Sequence, residues 1–141
     1  MQRPFSKELD LAMQKKEWLD LREKHWQMLK EQYPIGCKFW GKVWKTEPFG
    51  ILVESDNFPK ESYKNAIGAI DVGHHLFFKE DAYSWVHQEG CKELPRDSDF
   101  WPSKGSYIYC IVCYYRDHGD DGQLGLAWLG EVSETHPNET N

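Results

Sequence analysis

The sequence predicts a mainly β fold, a small five-stranded barrel preceded by an N-terminal helix. Three observations carry this. Hydrophobic spacing is helical over residues 6–32 and changes to alternation after Pro34. Several short apolar runs then follow, each bounded by Gly, Pro, Asn or Asp. One longer connection, 73–103, separates the third run from the last two. Five short strands with one long connection suit a closed or partly open barrel.

Within the helix, Ser6 is placed to cap the first turn, with Glu8 and Asp10 where carboxylates favour the helix dipole. Pro34 bounds the far end, because the residue before a proline is pushed out of the α region. Leu11, Trp18, Leu21 and Met28 fall near one face, which Leu19, Trp26 and Leu29 widen. That face predicts packing against the barrel; the alternative is a helix that presents Trp18 and Trp26 to a partner.

The first strand alternates cleanly. Cys37, Phe39, Gly41 and Val43 share one side, and Lys38, Trp40, Lys42 and Trp44 share the other. Gly41 inside a strand predicts a bend or close backbone approach, and Gly50 after the turn at 47–50 predicts a bulge. Residues 51–53, 66–72, 107–115 and 124–129 read as the other strands. A short helix is expected near 80–87, a loop at 94–97, and a polar hairpin turn at 117–122. The division is a helical extension over 1–34, a barrel over 35–130 and a polar tail over 131–141.

Composition narrows the function. An apolar share of 40% supports a packed core, and seven Trp exceed what one small core needs, so some rings are expected to serve a surface. No apolar run reaches the length of a membrane span, and the N-terminal residues lack a signal-peptide core; a cytoplasmic protein with four reduced thiols is expected. Charge is unevenly distributed. Residues 1–34 carry seven Lys or Arg against six Asp or Glu, residues 35–53 three against one, and the remainder seven against sixteen. Only the first strand offers a basic footprint of the kind nucleic acids require.

Catalytic and metal patterns are weak. Cys110 and Cys113 have metal-knuckle spacing, but positions i and i+3 of a strand face opposite sides, which predicts structural thiols. His74 and His75 near Asp71 lack a third ligand, and residues 117–121 lack the spacing of an EF-hand. No phosphate-binding glycine loop or nucleophile elbow occurs. A non-catalytic module without metal or cofactor is expected.

Gly36-x-x-Phe39-x-Gly41-x-Val43 followed by Pro48-Phe49-Gly50-Ile51-x-Val53 resembles the opening of the S-one-type RNA-binding domain, an oligonucleotide/oligosaccharide-binding (OB) fold named after a ribosomal protein. Residues 68–72, 104–112 and 122–126 resemble its later strands in order, so the likeness spans about 35–129. The resemblance implies an RNA face on which Phe49 stacks a base. It departs from the family at Leu52, where a second aromatic is common, at Asp71, where a histidine is common, and at Gln123, near a frequent arginine. Two ligands therefore stay open. Single-stranded RNA would use the row Lys38, Trp40, Lys42 and Trp44, and the candidate binding set for either ligand adds Phe49 and Asp71. A basic protein partner, as for a bacterial immunity protein that neutralises a toxin, would suit the acidic remainder and the surplus of aromatics.

Overall fold

The structure, a computed structural model, describes residues 4–56, 58, 66–72, 89–118 and 121–137. The order is α1 (Pro4–Gln32), β1 (Lys38–Glu47), β2 (Gly50–Glu54), β3 (Gly68–Asp71), a 3-10 turn (Ser98–Phe100), β4 (Tyr107–His118) and β5 (Asp121–Ser133). The fold is mainly β with one N-terminal helix, as expected. The short helix predicted near 80–87, and His74 and His75, lie outside the described residues.

The five strands form one sheet in the order β1-β2-β3-β5-β4, which closes through β4 onto β1. Every contact is antiparallel except that of β3 with β5. Alternation sends one set of side chains inward. Val43, Ile51, Val53, Ile70, Ile108, Cys110, Val112, Leu124 and Leu126 make one buried cluster. Gly41 faces this interior, and a Cβ there would collide with Val53, so the predicted close approach is present.

Other expectations shift. The bulge lies in β1, between Val43 and Lys45, and not at Gly50. Gly50 instead opens β2, with φ +152° and its α-carbon against the Ile70 carbonyl. The hairpin strands run on into the polar turn, pairing Asp117 with Gly122 and His118 with Asp121. Polar side chains do not stop a ladder whose backbone groups pair. At 94–97 the expected loop leads into the 3-10 turn, where the Asp97 carboxylate accepts from the Asp99 amide at 2.9 Å.

The helix departs most. It is already formed at Pro4, so Ser6 lies within the helix and not at its start. Only its C-terminal part packs: Trp26 and Leu29, with Tyr33 just beyond, join the interior cluster. Leu11, Trp18, Leu21 and Met28, expected on the packed face, are exposed. α1 seats on β5, where Gly122 leaves room for the Trp26 indole. Trp26 Nε1–H donates to the Asp117 carboxylate, and Lys30 reaches the same carboxylate at 3.6 Å. The Tyr115 hydroxyl then hydrogen-bonds the carbonyls of Lys30 (3.2 Å) and Tyr33 (3.0 Å), satisfying acceptors at the helix end. No helix among the described residues is long and apolar enough to cross a membrane.

A candidate aromatic and basic face on the outer side of β1 and β4

Pairing of β1 with β4 builds this face. Trp40 stands opposite Tyr109 and Lys42 opposite Tyr107, and directly paired residues share a side of the sheet. Their inward neighbours Ile108 and Cys110 are buried, so the aromatic row points outward. The Trp40 and Tyr109 rings lie 5.1 Å apart at 34°, and the Lys42 ammonium sits 5.9 Å from the Tyr107 ring centre. Trp40, Lys42 and Tyr109 are half-buried. α1 does not lie over them, since it packs on β5.

Neighbouring groups trim the charge of this face. Glu89 holds the Lys38 ammonium at 2.6 Å, and that hydrogen bond pushes the lysine's pKa up. Tyr107 donates to Asp56 at 3.1 Å and meets the His136 ring at 4.9 Å. Burial first, then the Asp56 hydrogen bond, raises the Tyr107 pKa and keeps the phenol protonated. Trp44 falls at the β1 bulge, where the outer row passes to Lys45 and Glu47, ion-paired at 2.9 Å.

Phe49 and Asp71 do not join this row. They lie together at another part of the sheet, where Gly50 pairs with Asp71 and the Phe49 carbonyl accepts from the Val72 amide at 2.8 Å. Phe49 is 46% exposed in the turn between β1 and β2. Asp71 is ion-paired with Arg116, whose Nε and Nη2 also donate to the Tyr114 hydroxyl at 3.0 and 2.8 Å. The Tyr114 ring lies against Gly125, where a Cβ would not fit. Around Asp71 the sheet surface is thus occupied by the chain's own arginine, tyrosine and carboxylate. Asp71 is neutralised rather than left to repel a phosphate. A cavity of about 400 Å³ adjoins this end, lined by Glu47, Pro48, Val72, Arg96 and Trp101 among others.

Sequence reasoning missed Tyr107, Tyr109, Tyr114 and Arg116. The alternation of β4 separates Tyr107 and Tyr109 from Ile108 and Cys110, but the strand they pair with is a tertiary fact.

The cysteines behave as the strand geometry predicts. Cys110 belongs to the interior cluster, while Cys113 belongs to a second cluster outside the sheet with Ile111 and Ala127. No group of three metal-ligating side chains occurs among the described residues. Burial pushes the Cys110 thiol far up and that of Cys113 to about 12. Both are therefore protonated and unreactive at neutral pH. Alkylation of the native protein should leave Cys110 and Cys113 unlabelled, and denaturant should expose them, as read by peptide mass spectrometry. These thiols bind their protons more tightly when folded. Their contribution to stability is thus complete below the ordinary value of 9.0; that of Cys113 is lost as pH rises towards about 12, and that of Cys110 only at still higher pH.

Compared with family models, with curated proteins and with solved structures, the chain finds no match.

Proposed function

We propose that this chain is a non-catalytic OB-type barrel that holds single-stranded RNA across the outer face of β1 and β4. The observation that carries the reading is the Trp40–Tyr109 ring pair, with Lys42 and Tyr107 as the next rung of the same ladder. The closed strand order with a single parallel contact supports the barrel type. Outward-facing rings interleaved with cations match what an unpaired strand offers, a π face on every base and a charge on every phosphate.

Magnitudes set the expected behaviour. A stacked base contributes about 1–3 kcal/mol, so replacing Trp40 or Tyr109 by Leu should weaken binding by roughly five- to two-hundredfold. Few lysines face the ligand, and Lys38 is shared with Glu89. Contacts from Lys38 and Lys42 to two phosphates give a log–log salt slope of about −1.4, shallow for a nucleic-acid binder. Titration of short single-stranded RNA at low salt checks both numbers. Unchanged affinity in Trp40→Leu and Tyr109→Leu, or no binding at high micromolar protein, removes the proposal.

A protein ligand is the second reading, supported by the excess of nine negative charges beyond residue 53. It requires a basic partner such as a nuclease toxin, steered by charge and anchored on the same rings. Affinity purification that recovers a stoichiometric basic protein, and no RNA, would select it.

A further inference from the structure

The N-terminal half of α1 stands off the sheet. Every residue from Glu8 to Trp18 is exposed, three turns with no covering element among the described residues. A polar helix in that position needs no partner, but this one carries an apolar stripe. Leu11 (64% exposed), Trp18 (51%), Leu21 (45%) and Met28 (37%) are spaced 7, 3 and 7 residues apart. These are a and d positions of a heptad, with Gln14 at the intervening d and His25 at the last a. Trp26, Leu29 and Tyr33, which dock α1 on the sheet, lie on an adjoining strip; His25 is half-buried with its ring 6.4 Å from that of Phe58, while Leu11, Trp18, Leu21 and Met28 stay exposed. Leu9 and Met13 fall outside it.

The residues flanking the stripe say what covers it. The g positions beside Leu11 and Trp18 are Asp10 and Glu17, and the e positions are Lys15 and Arg22. In a parallel pair of such helices, each g position meets the e position five residues later on the other helix. Asp10 then faces Lys15 of the second helix and Glu17 faces Arg22, opposite charges at both steps and on both sides of the seam. An antiparallel pair brings flank against like flank, Lys15 against Arg22 and Asp10 against Glu17. Half-buried Arg22 already lies 4.5 Å over the Trp18 ring, which sets its charge at the edge of the stripe. We propose that the stripe Leu11–Trp18–Leu21 of α1 pairs in parallel with the same stripe of a second copy of this chain, with Glu17 and Arg22 selecting partner and direction. The stripe from Leu11 to Leu21 is shorter than two heptads, so the association is concentration-dependent. It is independent of which ligand the β1–β4 face takes.

The full chain, followed by sedimentation equilibrium over micromolar to high-micromolar concentrations, should pass from monomer to dimer. Trp18→Glu and Leu21→Glu should hold it monomeric, with the β circular-dichroism signal and thermal transition retained because both side chains are exposed. Glu17→Lys and Arg22→Glu should each weaken the dimer alone, and an equimolar mixture of these two variants should restore it as a heterodimer. A chain that stays monomeric throughout overturns the proposal. So does a dimer unaffected by Trp18→Glu, or a mixture that associates no better than either variant alone.

Discussion

Replacing Trp26 by alanine should lower the unfolding free energy by about 3–5 kcal/mol, the range for removing a fully buried aromatic side chain. Trp26 is 1% exposed and is one of the largest side chains in the core. Its indole meets three features at once. It fills the space above Gly122, it sits edge-on to Tyr115 at 5.8 Å, and its N–H satisfies the Asp117 carboxylate. Alanine empties the seat and removes that hydrogen bond, while the Lys30 ammonium at 3.6 Å still pairs with Asp117. The helix then retains Leu29 and Tyr33 as its anchors. Urea unfolding checks the magnitude. A gain in exchange of the α1 amides, at a denaturant concentration where the sheet remains protected, would show that the helix releases first. A loss below about 1 kcal/mol would mean that Trp26 does not hold the helix to the sheet.

Gly50→Ala should be nearly as damaging although it adds one methyl group. The φ of +152° lies where an L side chain is strained, at about 1–3 kcal/mol. The added Cβ also meets the Ile70 carbonyl, backbone that cannot swing aside as a side chain does. Overpacking of this kind costs about 1–3 kcal/mol more. Because β2 pairs with both β1 and β3 around Gly50, relief requires opening one of the two ladders. A drop in thermal midpoint, with loss of sheet signal at lower temperature, is the expected readout. A midpoint within experimental error of the parent would contradict the close packing of β2 on β3.

These two residues illustrate how far the fold is legible in the amino acids. Gly50 could be read as a special position, because a glycine directly after Pro48-Phe49 at the start of an apolar run has few ordinary reasons to be there. What it does could not be read, since the Ile70 carbonyl arrives from another strand. Strands with strict alternation were visible for the same reason that they form: Ile108, Cys110 and Val112 must point one way and Tyr107 and Tyr109 the other. Trp18 and Trp26 show the limit. Both fall near one helical face, and no local property distinguishes the buried ring from the exposed one. The choice is made on β5, where Gly122 supplies a seat for Trp26 and nothing among the described residues supplies one for Trp18.

The candidate site divides in the same way. Lys38, Trp40 and Lys42 follow from the period of β1 alone, and they do share a face. Trp44 is set apart by a bulge that no residue type announces. Phe49 and Asp71 follow from resemblance, and the structure puts them elsewhere, with Asp71 held by Arg116. That ion pair joins β3 to β4 across β5, a contact no spacing in the sequence encodes. The tyrosines that stand opposite Trp40 and Lys42 come from β4 and depend on register. Charges were legible as a sum but not as pairs: Glu89 on Lys38 and Asp56 on Tyr107 are set by loops.

The most direct test of the account is to map where single-stranded RNA touches the protein. Isotope-labelled full chain titrated with a short unstructured RNA at low salt should show chemical-shift changes concentrated on the backbone and rings of Trp40, Lys42, Tyr107 and Tyr109. Those changes should shrink as salt is raised. Shifts confined to Phe49, Asp71 and Tyr114, or spread along α1 with none on β1 and β4, would contradict the claim that the outer face of these two strands is the binding site.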